Sequence, residues 1–272
     1  EQRVLFGMGT TAVANRKYGA AAKNFETIIN NRSYNYEITA RSYFWYGECM
    51  YKMKKYDEAK KAYEGYLNKI GSKNGDEYSL AHYNLGYVYI KQNDYKEANL
   101  WFRKFINLES EDKVMLVDAC NRIGDCYFQN RQFDQAKNAY EQASQYGIKI
   151  QGTDYSLYQK GFVCGLQKDY NQKITIMQSL IAEYPKSEWA DDALFEIGRA
   201  YVAIDNNADA ITTFNRINKE YPKTNSIVRK SKLQIAMLQY NGGETDKAVS
   251  TYKSIISEYP NTEEAETSLS TL

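Results

Sequence analysis

Histidine, proline, long apolar runs and net charge are all scarce in this chain of 272 residues, and each scarcity closes off a class of function. The one histidine, His82, has no second imidazole with which to build a zinc set or a catalytic triad. No run approaches the roughly 20 apolar residues that span a bilayer. No signal peptide is visible, because Glu1 opens inside a helical pattern, so the sequence reads as a mature or excised segment. The 35 Lys and Arg balance the 34 Asp and Glu. Proteins that neutralise phosphates are usually far more basic, so nucleic acid is not an expected partner. GxxxxGK(S/T), GxSxG, HExxH and GxGxxG are all missing, and neither enzyme activity nor a cofactor nor a metal is expected.

Cysteine is similarly uninformative. Cys49, Cys120, Cys126 and Cys164 lie in helical patterns without a CxxC, and read as small buried apolar groups. Cys120 and Cys126 are separated by roughly 9 Å of helical rise, beyond disulfide reach. The three prolines, Pro185, Pro222 and Pro260, each close a Glu-Tyr-Pro tripeptide, which reads as punctuation between units.

What is abundant is regularity. A glycine recurs as Gly9, Gly47, Gly86, Gly124, Gly161 and Gly198, with Ala236 in the seventh place, at steps of 38, 39, 38, 37, 37 and 38. Twelve residues after each comes a small residue: Ala21, Ala59, Ala98, Ala136, Ala210 and Ala248, with Lys173 as the exception. Four further on comes a large one: Phe25, Tyr63, Phe102, Tyr140, Met177, Phe214 and Tyr252. Small residues let two helices approach, and the large residue covers the joint. Polar turns such as Lys54-Lys55 and Asn93-Asp94 fall between the marker and the alanine, so every copy reads as helix–turn–helix.

First helices are expected near 3–15, 38–53, 77–92, 114–130, 154–167, 188–204 and 225–241. Second helices are expected near 18–31, 56–69, 95–108, 133–146, 170–183, 207–220 and 245–258, and a further helix from Glu263. His82 falls in an inward slot that Leu5, Leu157 and Leu194 hold elsewhere, which implies packing. The acidic pair Asp191-Asp192 sits in a first helical turn, where it favours the dipole.

The series Gly86, Tyr89, Tyr95, Ala98, Phe102, and again Gly124, Tyr127, Phe133, Ala136, Tyr140, resembles the tetratricopeptide repeat. The family period is about 34 residues. The units here are longer, with extra residues between them, as in the linkers from Ile70 to Asp76 and from Tyr146 to Gly152. The resemblance covers the whole chain and implies an all-α fold, an α-solenoid (right-handed superhelix) of about seven repeats. It also implies a non-enzymatic scaffold for a protein or peptide partner.

Residues 1–147 form four tyrosine-rich repeats, and residues 148–272 three repeats with Glu-Tyr-Pro ends plus a terminal partial helix. The two stretches read either as two parts or as one continuous array. Within the second stretch, about residues 180–272, which carry Glu183-Tyr184-Pro185, Trp189, Phe195, Gly198 and Tyr201, resemble the repeats of bacterial envelope proteins. These are of the outer-membrane barrel-assembly lipoprotein and Tol–Pal periplasmic partner types. That resemblance implies the periplasm or cell envelope, with the cytoplasm as the alternative. A second functional reading is a regulatory or sensor region of a longer protein whose effector domain lies outside this segment.

In such an array the first helices line a concave groove, and the residues flanking each glycine are expected to face it. The partner-binding candidates are Phe44, Tyr51, Tyr83, Asn84, Tyr87, Asn121, Arg122, Phe128, Tyr155, Tyr158 and Phe162. Tyrosine and arginine are the residue types that anchor interfaces. The carboxylate clamp of co-chaperone relatives needs Lys, Asn, Asn, Lys and Arg. The corresponding residues here are Phe44, Glu48, Asn84, Asp118 and Arg122, and the two acids would repel a carboxylate. That clamp is therefore excluded.

Overall fold

The computed structural model describes residues 1–69, 71–109 and 111–272. Ile70, which heads one expected linker, lies outside them. Fifteen α-helices and no strand occur among the described residues. The first four helix pairs run α1 Gln2–Ala14 and α2 Tyr18–Asn30, α3 Tyr36–Lys52 and α4 Tyr56–Leu67, α5 Tyr78–Lys91 and α6 Tyr95–Leu108, α7 Lys113–Gln129 and α8 Phe133–Gln145. The next three are α9 Thr153–Leu166 and α10 Tyr170–Glu183, α11 Ala190–Ala203 and α12 Asn207–Glu220, α13 Asn225–Asn241 and α14 Thr245–Glu258. The last helix, α15, is Glu263–Thr271. Every helix starts and ends within a few residues of the position set by the glycine spacing.

The chain packs as two compact units, Glu1–Gln135 and Ala136–Leu272. In the first, each helix from α1 to α7 lies on the next, and α1 also touches α3. In the second, α9 to α15 pack successively, and first helices meet first helices along α9, α11, α13 and α15.

The marker glycine works by contact. A Cβ at Gly9 would lie 2.7 Å from the Phe25 ring, at Gly86 2.7 Å from Phe102, at Gly161 2.9 Å from Met177 and at Gly198 2.5 Å from Phe214. These are the large residues of the third sequence slot, all fully buried. The expected joint is thus the observed one. Ala21, Ala59, Ala98, Ala210 and Ala248 are also wholly buried.

Each turn inside a pair has a shared geometry. Arg16, Lys54, Asn93, Arg131, Lys168 and Asp205 adopt φ between 58° and 63°, and Gly243 takes φ 81° at the same place. The next residue donates its N–H back five residues, as from Lys55 to the Met50 carbonyl at 2.8 Å and from Asp94 to the Tyr89 carbonyl at 2.9 Å. This left-handed stop satisfies the last carbonyls of the first helix. Side-chain caps then start many helices: Asn35 accepts from the N–H groups of Glu37 and Ile38, Asp94 from Glu97 and Asp169 from Gln172.

The Glu-Tyr-Pro tyrosines join consecutive repeats. The Tyr184 hydroxyl accepts from the Lys149 N–H at 2.9 Å and hydrogen-bonds Thr153 Oγ1 at 2.8 Å. Tyr221 donates to the Pro185 carbonyl at 3.1 Å. Lys232 lies over the Tyr259 ring, 5.2 Å from its centre. All four cysteines are buried and free. His82 is buried between Tyr78 and Trp101, with Nδ1 2.7 Å from the Tyr78 carbonyl.

Lys173 fills the alanine slot of α10, and its charge stays inside. Its ammonium pairs with Glu196 of α11, and both side chains are under a tenth exposed. Arg199 adds a contact to the same carboxylate at 3.1 Å. Gly165 makes the space, since a Cβ there would lie 2.8 Å from Lys173 Cδ. Lys160 stands one residue before the marker Gly161, where other repeats have Leu85, Ile123 and Ile197, and it pairs with Glu141.

Candidate functional site

Three successive first helices of the first unit, α3, α5 and α7, are joined side chain to side chain. Asn84 of α5 donates to Glu48 Oε2 of α3 at 3.1 Å, and the Tyr63 hydroxyl donates to the same oxygen at 3.2 Å. On the other side of α5, Tyr83 donates to Asp118 Oδ2 of α7 at 2.6 Å, and Tyr87, one turn on, donates to the same oxygen. Arg122 closes the row, with Nη1 2.9 Å from Asp125 and Nε 3.5 Å from Asp118. Two carboxylates thus organise this face: Glu48 gathers donors from α4 and α5, and Asp118 gathers two from α5.

The aromatic rings are packed as well as bonded. Tyr83 and Tyr87 meet edge-on at 5.1 Å, and both lie against Phe102, at 5.7 and 5.2 Å. Tyr51 meets Tyr56 at 5.6 Å. Between α3 and α5 the rings leave a cavity of about 230 Å³, lined by Glu48, Tyr51, Lys52, Tyr63, Tyr83, Asn84 and Tyr87. Burial first, and then the Asp118 charge, pushes the Tyr83 and Tyr87 hydroxyls well above the usual phenol range. Burial and then Glu48 do the same to Tyr63. All three therefore stay protonated and donate across the physiological range.

Among the described residues no group of three or more His, Cys, Asp and Glu side chains is placed to hold a metal ion. No helix there is long and apolar enough to cross a membrane. What the face offers is rings, amide and acidic acceptors, which is the chemistry of binding.

Family comparison agrees with the architecture. Models of the tetratricopeptide repeat match residues 41–69, 155–187, 192–224 and 230–262, then 79–112 and 117–146, together most of the chain. The chain belongs to the tetratricopeptide repeat family. Such proteins are in general protein-interaction scaffolds. The first pair, α1 and α2, lies outside these matches, yet it has the repeat's Gly9–Phe25 joint and its left-handed turn at Arg16.

Solved structures show the same fold. The C-terminal part of a TPR repeat-containing protein from Cytophaga hutchinsonii is 18% identical with a TM-score of 0.81, over 97% of this chain and 99% of that one. A tetratricopeptide repeat protein from Parabacteroides merdae is 15% identical with a TM-score of 0.60, over 99% and 97%. YrrB, described as a TPR protein with an unusual peptide-binding site, is 18% identical with a TM-score of 0.56, over 78% and 99%. No curated protein matches the sequence.

The tetratricopeptide register corrects two of the expected face residues. Phe44 and Asn121 are each only 1% exposed and do not face a groove. Both stand three residues before a marker glycine, and on a helix i and i+3 share a face, here the one turned to the second helix. Phe44 accordingly packs against Tyr63 at 5.6 Å and Tyr66 at 5.8 Å. Tyr83 holds the same slot, but its hydroxyl reaches out to Asp118.

Tyr51, Tyr83, Asn84, Tyr87 and Arg122 come together on one face of the first unit, while Phe128 lies edge-on to Phe133 at 5.8 Å. Tyr155, Tyr158 and Phe162 belong to the second unit. There Trp189 gathers Tyr155 at 5.3 Å and Tyr158 at 4.9 Å, and Phe162 stacks on Tyr158 at 6.3 Å. Trp189 was not among the partner-binding candidates, nor were the two organising acids. The register that places Tyr51 on the face also places Glu48 there, and both acids were legible as reasons against a carboxylate clamp.

Proposed function

We propose that this protein works by binding, not catalysis, and holds a protein or peptide segment along the first-helix face of Glu1–Gln135, within a bacterial envelope assembly. The observation that carries the reading is the joined row from Glu48 and Asn84 through Tyr83, Tyr87 and Asp118 to Arg122. Fixed hydrogen bonds hold those side chains before any partner arrives, which lowers the ordering cost of association. Partly buried tyrosines and an arginine, as here, are residue types enriched among the anchors of interfaces. The likeness of the Glu-Tyr-Pro repeats to envelope proteins supports the location.

A photo-cross-linking residue at Tyr51, on this face, and another at Lys96, exposed on α6, test it in the source cell. Capture of a defined protein from Tyr51 but not from Lys96, in the envelope fraction, is the expected result. Capture from Lys96 alone would place the binding surface on the second helices. Recovery of the cross-linked pair in the cytoplasm would overturn the envelope assignment.

A further inference from the structure

The cavity between α3 and α5 has a chemistry of its own. Four tyrosine rings surround it, Tyr51, Tyr63, Tyr83 and Tyr87, with Glu48 in its wall and Lys52 at its exposed rim. The hydroxyls of Tyr83 and Tyr87 are taken by Asp118, which leaves their rings as what they offer the cavity. Ring faces attract cations, most of all beside a carboxylate out of bulk water.

Glu48 supplies that carboxylate. Both of its hydrogen bonds, from Tyr63 and Asn84, go to Oε2. Its Oε1 accepts from no donor among the described residues, and it has no ion-pair partner there. Asp118, by contrast, has Arg122 beside it.

We propose that this cavity is a lysine cage: it takes the ammonium end of a lysine side chain presented by the protein partner. The inference rests on the reading that the first-helix face binds a protein, and it names what that partner must present. At about 230 Å³ the space is smaller than the roughly 300–1,000 Å³ of small-molecule sites, and suits one long side chain. Lysine fits better than arginine, because a planar guanidinium seeks two acceptors in a fork and only one oxygen is open here. A carboxylate ligand would meet Glu48 and is repelled. The recognition is therefore the reverse in sign of a carboxylate clamp.

The test uses the full chain with tyrosine rings labelled for NMR, titrated with acetyl-Gly-Ala-Lys-Ala-Gly-amide. The same peptide with norleucine, arginine, glutamate or trimethyllysine in the centre serves as comparison. Shifts at Tyr51, Tyr63, Tyr83 and Tyr87 with lysine or trimethyllysine, at least tenfold tighter than with norleucine, are expected. Glu48→Gln should weaken lysine binding about tenfold with an unchanged melting midpoint. Lys52→Gln, which removes a like charge at the rim, should strengthen it. Equal binding of norleucine, tighter binding of arginine, no shift with any peptide, or an indifferent Glu48→Gln would each overturn the cage. The two readings fail separately. A partner cross-linked from Lys91, exposed one turn beyond Tyr87 and outside the cavity, at the same yield with and without Glu48→Gln sinks the cage alone. No capture from either Tyr51 or Lys91 in the otherwise unaltered chain sinks the face.

Discussion

Phe102 lies so close to the backbone of Gly86 that a Cβ on the glycine would meet two of its ring carbons at 2.7 Å. Gly47 stands in the same relation to Tyr63, but at 3.1 Å, and Gly7 in α1 has nothing within 4 Å. The three positions separate packing from helix propensity. In the open, Gly→Ala gains about 0.5–1 kcal/mol. Against a packed ring, overpacking costs about 1–3 kcal/mol. Gly7→Ala should raise the thermal midpoint, Gly47→Ala should leave it nearly unchanged, and Gly86→Ala should lower it. Equal effects at all three would mean the glycine marks helix propensity and not a joint.

The left-handed turns give a prediction of opposite sign. Lys168 holds φ 63° where the seventh repeat uses Gly243 at φ 81°. A side chain in that region costs roughly 1–2 kcal/mol, and glycine escapes most of it. Lys168 is exposed, so little else is lost. Lys168→Gly should stabilise the protein by about 0.5–1 kcal/mol, and Gly243→Lys should destabilise it by a similar amount. Urea midpoints of both variants decide the matter.

These two predictions also show what the sequence reveals and what it conceals. The Gly86–Phe102 joint is legible because it needs particular residue types at a fixed spacing, and both recur in the other copies. The turn geometry is concealed because six residues of four types, from Arg16 to Asp205, tolerate one backbone shape, and Gly243 is its only trace. The face is half legible. Counting from the glycine finds Tyr87 and Arg122, but it also brings in Phe44, which shares the glycine's own side of the helix. The joining role of Glu48 and Asp118 is concealed, because each collects a donor from the neighbouring first helix, Asn84 and Tyr83, a relation across roughly one repeat that no local pattern encodes.

Lys173 departs from the repeat, and the structure turns that departure into a stability prediction. Its ammonium and the Glu196 carboxylate are paired inside the second unit, at 7% and 8% exposure. Removing one member of a buried pair strands the other, at about 3–5 kcal/mol. Glu196→Gln should therefore be strongly destabilising. Lys173→Met should cost less, because Glu196 keeps Arg199 at 3.1 Å. The double variant should regain most of the loss, as replacing both charges by well-packed neutral groups usually does. Strictly additive losses in a double-mutant cycle would show that the pair is not coupled.

His82 supplies the pH dependence. Burial lowers its pKa below 6.5, Lys104 adds to the lowering, and the hydrogen bond to the Tyr78 carbonyl opposes it. With the folded value depressed, the unfolded chain binds a proton that the folded chain refuses. Stability is then intact above the unfolded pKa of about 6.5, and it is lost as the pH falls below that value towards the folded one. His82→Leu installs the residue that Leu157 and Leu194 provide in other repeats, and it cannot titrate. Between pH 7 and pH 5 the melting midpoint of the unaltered protein should therefore fall more steeply than that of His82→Leu. The carboxylates common to both proteins cancel in the difference. Parallel curves would mean that His82 takes its proton as easily folded as unfolded, and that its place between Tyr78 and Trp101 is open to water in solution.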